Sequence, residues 1–133
     1  MKAKLLAILV FLSAMSFSGP TAVARPSDTV AAGYIAKALT AASEAYAARP
    51  SAEAYTALLY AYYAAYYGYL GATYDDKSYR YAAQLYAYYA VSYGYQAYLK
   101  EPNASSVSAQ KLLSAISNAY SAYYNELLAY FGY

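Results

Sequence analysis

The chain has 133 residues, which is enough for one domain; 62 % of them are hydrophobic and only 12 % are charged. Histidine, cysteine and tryptophan are absent, whereas tyrosine occurs 23 times. The missing residues exclude disulfide bonds, the usual Cys/His centres for zinc, haem or iron–sulfur clusters, and catalysis by a histidine base or a cysteine nucleophile. We therefore expect no cofactor and no metal.

The N-terminus has the pattern of a secretory signal peptide. Lys2 and Lys4 form a basic start, residues 5–12 are an unbroken apolar run, and Ala22 and Ala24 fit the A-x-A cleavage rule. The apolar run is shorter than the roughly 20 residues that a membrane span needs. The sequence predicts a signal peptide over residues 1–24, a single domain over residues 25–133, and a secreted or periplasmic location.

Cleavage changes the charge of the protein. It removes two of the nine basic residues and leaves seven basic against seven acidic residues, so the net charge falls from +2 to zero. A neutral domain lacks the basic face that nucleic acid or anionic lipid would require, so no nucleic-acid partner is expected. Few charges and no net charge favour self-association.

Alanine-rich segments between clusters of breakers predict four helices. They cover residues 27–48, 51–72, 76–99 and 106–130. Ser27 or Asp28 is the expected N-cap of the first helix and Ser51 that of the second. Pro50 and Pro102 follow the ends of the first and third helices.

The two central helices repeat each other. Residues 55–69 match residues 81–95 at a constant offset of 26, with Leu59 aligned to Leu85 and Gly68 to Gly94. At 100° per residue, the alanines and glycines of each helix fall on one smooth arc and the tyrosines on the remainder. A smooth arc allows two helices to approach closely. The predicted fold is all-α: an up-down four-helix bundle with a central duplicated Ala/Tyr-rich helical hairpin.

The first and last helices resemble ordinary surface helices with one buried stripe. In the last helix we expect this stripe to consist of leucine, isoleucine and tyrosine. Its predicted members are Leu112, Leu113, Ile116, Tyr120, Tyr123, Leu127 and Tyr130.

The central hairpin carries more aromatic surface than a bundle core needs, because the aromatic arc of each helix is wide. Exposed contiguous aromatic surface commonly marks a binding site. We therefore expect a non-catalytic structural or interaction protein that self-assembles, or binds an envelope or surface partner, through one tyrosine-rich flank. Tyrosines at this density are also candidates for oxidative coupling to dityrosine. The predicted binding face consists of Tyr60, Tyr63, Tyr67, Tyr86, Tyr89 and Tyr93.

Two alternatives remain open at this stage. The rings could line a groove of a small binding bundle for an aromatic, lipid or sugar ligand. Residues 54–74 and 81–99 are uncharged throughout and long enough to span a bilayer, so the two segments could form a membrane-inserted hairpin. Tyrosine prefers the membrane interface, which counts against the second alternative.

Part of the second helix resembles the tetratricopeptide repeat. Ala52, Tyr55, Leu58 and Ala61 stand at the positions of the first helix of that repeat, with Tyr55 in place of the consensus tryptophan and Leu59 in place of the following glycine. The resemblance covers about a dozen positions of a 34-residue repeat. It implies peptide binding in a groove.

An enzyme is not expected, because the carboxylates form no constellation suited to acid–base chemistry. Asp75 and Asp76 are the only adjacent pair, and their expected role is to cap the third helix. Glu126 is expected to be a solvated charge.

Overall fold

The computed structural model describes residues 24–133, which form four helices and no strand. The helices are α1 (Pro26–Ala48), α2 (Ala52–Tyr74), α3 (Lys77–Leu99) and α4 (Val107–Tyr130). The all-α bundle predicted from the sequence is confirmed. Residues 1–23 of the predicted signal peptide lie outside the described residues.

Three of the four helices begin at a side-chain cap. Ser51, Asp76 and Ser106 are the N-caps of α2, α3 and α4, and each accepts a hydrogen bond from the backbone N–H three residues later, at 3.0, 3.0 and 3.1 Å. Such caps satisfy backbone donors that have no partner inside the helix. The capping roles predicted for Ser51 and for the Asp75–Asp76 pair are confirmed, the latter through Asp76.

The start of α1 differs from the prediction. Arg25, not Ser27 or Asp28, occupies the N-cap, and Pro26 begins the helix, where its missing N–H costs nothing. Asp28 lies in the first turn and accepts a hydrogen bond from the backbone N–H of Arg25 at 2.8 Å. Ser27 and Asp28 are buried, so their side chains face the bundle.

The helices run up and down around the bundle, as the contacts at its two ends show. At one end Arg25 pairs with Asp75 in the α2–α3 turn at 3.3 Å and donates to the carbonyl oxygen of Ala129 near the end of α4. At the other end Arg49, after α1, pairs with Glu101, after α3, at 3.0 Å. The closest helix pairs are α1 with α4 and α2 with α3.

The core consists almost entirely of alanine. Apart from Ile35, Leu39, Leu58 and Leu112, every buried hydrophobic residue in the described part of the chain is an alanine. The smooth arc predicted for α3 faces this core. Its members, Ala83, Ala87, Ala90, Gly94 and Ala97, are all buried.

The stripe predicted for the last helix is only partly buried: Ile116, Tyr123, Leu127 and Tyr130 are half-buried. Leu112 is buried, but Leu113 and Tyr120 are exposed, and alanines such as Ala115, Ala119 and Ala122 face the core instead. The reason is the close packing of α4 on α1. Only small side chains fit between two helices at that separation, so the large ones are displaced to the borders.

None of the helices in residues 24–133 combines the length and the apolar character that crossing a membrane requires.

Enlarging a central alanine should destabilise the bundle. Ala87 is fully buried, and Ala87→Leu would insert three carbon atoms where the helices already meet. We expect a loss of about 1–3 kcal/mol in the free energy of unfolding, measured by urea denaturation. Ala47→Leu, at an exposed position of α1, is the matched control and should change stability little. Equal losses in both variants would contradict a tightly packed alanine core.

Candidate functional site

The six tyrosines predicted as a binding face lie together on one side of the α2–α3 pair. All six are half-buried, so each ring lies against its neighbours and keeps part of its surface in solvent. We call this set of rings the tyrosine face. Its members are Tyr60, Tyr63 and Tyr67 on α2 and Tyr86, Tyr89 and Tyr93 on α3.

Two of the six rings connect all the others. Tyr60 and Tyr86 also pack against the alanine core, which fixes their positions. Every contact of the face between α2 and α3 includes one of these two residues. The ring centroids are 5.8 Å apart for Tyr60–Tyr86, 5.2 Å for Tyr60–Tyr89, 5.5 Å for Tyr60–Tyr93, 5.4 Å for Tyr63–Tyr86 and 5.4 Å for Tyr67–Tyr86.

These contacts reproduce the 26-residue repeat as a pseudo-twofold arrangement. Tyr60 and Tyr86 are equivalent in the repeat and stack on each other at an interplanar angle of 21°. The stacked pair Tyr60–Tyr93, at 23°, corresponds to the stacked pair Tyr67–Tyr86, at 20°. An antiparallel hairpin of two equivalent helices places equivalent rings about a central axis, which explains the matching geometry.

Further tyrosines extend the face at its borders. The ring centroids of Tyr66 and Tyr67 are 5.3 Å apart, and those of Tyr88 and Tyr89 are 6.1 Å apart. Tyr66 and Tyr88, which we call the border rings, are exposed. No tyrosine hydroxyl in residues 24–133 is a buried atom without a hydrogen-bond partner. The face therefore offers flat apolar surface with polar oxygen atoms at its edge, a combination that suits aromatic, sugar or protein surfaces.

Beside the face, at the end of the bundle that holds the α2–α3 turn, lies a group of charged residues that we call the ionic cluster: Asp28, Asp75, Arg80 and Glu126. Arg80 is fully buried and donates to both carboxylate oxygens of Asp28, at 3.0 and 2.7 Å. It also donates to Asp75 at 2.6 Å. The hydrogen bonds to Asp28, and then those to Asp75, raise the pKa of Arg80 further above its ordinary value. The Arg80 hydrogen bond likewise lowers the pKa of Asp75.

Within the ionic cluster, the prediction for Glu126 is wrong. This residue was expected in solvent, but it is buried, and its Oε2 atom has no hydrogen-bond partner. Burial raises the pKa of Glu126 well above its ordinary value of 4.5, the charge of Asp28 adds to the increase, and Arg80 opposes it. The carboxyl group is therefore held towards its neutral, protonated form.

Two glycines of α2 make room for this cluster. A Cβ atom on Gly68 would lie 2.9 Å from Oε1 of Glu126, and one on Gly71 would lie 2.7 Å from Cγ of Arg80. The pattern that could have indicated the cluster was present in the sequence. Arg80 lies three residues before Ala83, on the small-residue arc of α3, where a lone arginine has to be buried with a partner.

No group of three or more acidic residues in the described chain is arranged to hold a metal ion. Comparisons with protein-family models, with curated proteins and with solved structures find no significant match to this chain. The resemblance of α2 to a tetratricopeptide helix is not supported by any of them.

The glycine that accommodates Arg80 can be tested by a matched pair of substitutions. Gly71→Ala should lower the free energy of unfolding by about 1–3 kcal/mol, because the new methyl group would also lie 3.1 Å from the backbone nitrogen of Arg80. Gly33→Ala in α1 meets no atom within 4 Å and should stabilise the protein by up to about 1 kcal/mol. Urea unfolding should therefore show a lower free energy of unfolding for Gly71→Ala and a higher one for Gly33→Ala. Stabilisation by both substitutions would contradict the close approach of Arg80 to Gly71.

Glu126 should make the protein less stable as the pH rises. Because its pKa is higher in the folded than in the unfolded state, the folded protein retains a proton that the unfolded chain releases above pH 4.5. The contribution is complete below that pH and is lost as the pH rises through the folded-state pKa. Asp75, whose pKa is lowered in the folded state, has the opposite effect: its stabilising contribution is lost as the pH falls, in a more acidic range.

Glu126→Gln keeps a neutral side chain of the same shape and should remove this loss. We expect the variant to be more stable than the unmodified protein at neutral pH and equal to it near pH 4, as measured by urea unfolding across the pH range. Glu44→Gln, at an exposed carboxylate paired with Lys111, is the control. An unchanged pH profile in Glu126→Gln would show that Glu126 is solvated.

Proposed function

We propose that this chain is a non-catalytic structural or interaction protein, exported to the periplasm or beyond the cell, that binds other copies of itself or an envelope or surface partner through the tyrosine face. The observation that carries the proposal is the continuity of that face. Six half-buried rings on two helices form one connected aromatic surface, and exposed rings extend it on both sides.

The chemistry of the face supports binding by burial. Tyrosine supplies large contact area with little loss of side-chain freedom, and aromatic residues are enriched at the centres of protein interfaces. The ion pairs of Arg25, Arg49 and Arg80 lie at the ends of the bundle or within it. The exposed pair of Lys111 with Glu44 joins α4 to α1, not to the helices that carry the tyrosine face. Balanced acidic and basic residues over positions 25–133 leave little net repulsion between copies.

A second candidate is the binding of a small aromatic, sugar or apolar ligand. An open groove at the α1–α2 turn supports it, and its lining consists of Tyr46, Pro50, Ser51, Ala52 and Tyr55. The two rings lie 5.8 Å apart at an angle of 58°. A protein that remains monomeric and binds such a ligand at this groove would favour the second candidate over the first.

The first proposal predicts that the outer rings of the tyrosine face control association. Tyr63, Tyr67, Tyr89 and Tyr93 are replaced together by serine, while Tyr60 and Tyr86 are kept because they pack on the core. Tyrosine is enriched among the few interface residues whose truncation costs about 2 kcal/mol or more. We therefore expect the variant to lose concentration-dependent association, measured by analytical ultracentrifugation over a hundredfold concentration range, and to retain its helical circular dichroism.

The control removes the same number of tyrosines from outside the face. Tyr81, Tyr95, Tyr120 and Tyr124 are each at least half exposed, and their replacement by serine should leave association intact. If the control variant loses association to the same degree, exposed tyrosine in general is responsible and the face is not a specific site. Loss of helicity in the first variant would show that the outer rings serve the fold.

A further inference from the structure

Oxidation chemistry in this domain is confined to tyrosine. Cysteine, tryptophan and histidine are absent, and the two methionines, Met1 and Met15, lie in the predicted signal peptide. Sulfur side chains are the usual first targets of oxidants in proteins. A one-electron oxidant that meets residues 25–133 therefore finds phenol groups and no competing side chain of comparable reactivity.

The tyrosine face holds such phenols in contact across two helices. Within the tyrosine face, five ring pairs join α2 to α3, with centroids 5.2 to 5.8 Å apart. Tyr63, Tyr67, Tyr89 and Tyr93 do not pack on the core and keep part of their surface in solvent, where side-chain rotations are fast. Such rotations allow a ring carbon next to a hydroxyl group to reach the corresponding carbon of Tyr60 or Tyr86. The α2–α3 turn, closed by the capping residue Asp76, keeps the two helices side by side.

We propose that the tyrosine face is an oxidative cross-linking site, at which a one-electron oxidant of the haem-peroxidase class, supplied with hydrogen peroxide, joins a tyrosine of α2 to a tyrosine of α3 in the same chain. This site is independent of what the face binds. The link is a carbon–carbon bond that fastens the hairpin covalently.

The reaction balances with the peroxide. Each of two phenols gives up one electron to the oxidant and one proton to solvent, which leaves two tyrosyl radicals. The radicals couple through the ring carbons next to their oxygen atoms, and the hydrogen on each of these carbons moves to oxygen, which restores both phenols. One hydrogen peroxide accepts the two electrons and two protons and becomes two water molecules, so the protein loses two hydrogen atoms.

Exposed rings at the borders give the oxidant access to the face. Tyr66 and Tyr88 are exposed, and they lie against Tyr67 and Tyr89 respectively. When the oxidant withdraws an electron from Tyr66 or Tyr88, the ring of Tyr67 or Tyr89 in contact with it can supply the replacement. Coupling then takes place where two rings from different helices are held together, which is around Tyr60 and Tyr86.

Trypsin separates the two helices and makes the link visible. Cleavage after Lys37, Lys77, Arg80 and Lys100 places the tyrosines of α2 on peptide 38–77 and those of α3, from Tyr81 onward, on peptide 81–100. The experiment treats the dilute protein with hydrogen peroxide and a haem peroxidase, then isolates the monomer. We expect mass spectrometry to find these two peptides joined with the loss of two hydrogen atoms, together with dityrosine fluorescence.

Two double variants test the geometry. Tyr60→Phe with Tyr86→Phe removes a phenol from every α2–α3 pair of the face but keeps both rings, and we expect the joined peptide to be lost. Tyr55→Phe with Tyr81→Phe is the control. These residues are also equivalent in the repeat, lie on the same two peptides and are more exposed, but they contact Tyr46 and Tyr130 instead. The control should cross-link as the unmodified protein does.

Three results would overturn the proposal. The joined peptide could persist when Tyr60 and Tyr86 are both phenylalanine. The yield of the joined peptide could decrease equally in the control variant, which would mean that exposure, not ring contact, determines which tyrosines couple. Cross-links could also form only between chains, leaving the monomer unlinked. Circular dichroism of each variant before oxidation establishes that the bundle is folded in every comparison.

Discussion

The alanine core determines how the rest of the bundle is arranged. A methyl side chain lets helix backbones approach closely, as the α1–α4 and α2–α3 pairs do. It also contributes little apolar area per residue, since the hydrophobic effect scales with the surface removed from water. The large side chains cannot enter such a core, so they lie at the seams between helices. There tyrosines such as Tyr34, Tyr60 and Tyr86 cover the alanines from outside. These tyrosines supply apolar contact area that the alanines lack, which is why their rings are half-buried, whereas others such as Tyr81 and Tyr120 are exposed.

The same close packing explains how a buried ionic cluster is accommodated. A fully buried arginine needs partners for its donors, and Arg80 has them in Asp28 and Asp75. It also needs space, which the helix opposite provides by having glycine at Gly71. Glu126 has space opposite Gly68 but no partner for Oε2. One end of the bundle is therefore fixed by buried directional hydrogen bonds between α1, α3 and the α2–α3 turn. The opposite end has the more exposed pair of Arg49 with Glu101, and between the two ends the core depends on non-directional contact between methyl groups and rings.

Much of the architecture could be predicted because it depends on local signals. Alanine content, the prolines and the capping residues Ser51 and Asp76 specify where helices begin and end, and the small-residue arc of α3 specifies which face is buried. The predictions were wrong where a residue distant in the sequence determines whether a side chain is buried or exposed. Glu126 is buried because α2 has glycine opposite it, and Tyr120 is exposed because α1 leaves space only for alanine beside α4. Hydrophobicity alone ranks leucine and tyrosine above alanine for a core position, so a helix whose smallest residues face inward is misread.

The internal repeat links the fold of the hairpin to the proposed self-association. Two equivalent helices have equivalent rings, so the contacts that Tyr60 makes with α3 are matched by those that Tyr86 makes with α2. The face is therefore nearly symmetric about the axis of the hairpin, and a twofold contact with a second copy would place the same rings of both chains against each other. The six rings have different roles because only two of them pack on the core. Tyr60 and Tyr86 pack on the core and hold the hairpin together. The other four rings of the face lie further from the core and keep the apolar surface that a second copy or another partner would cover.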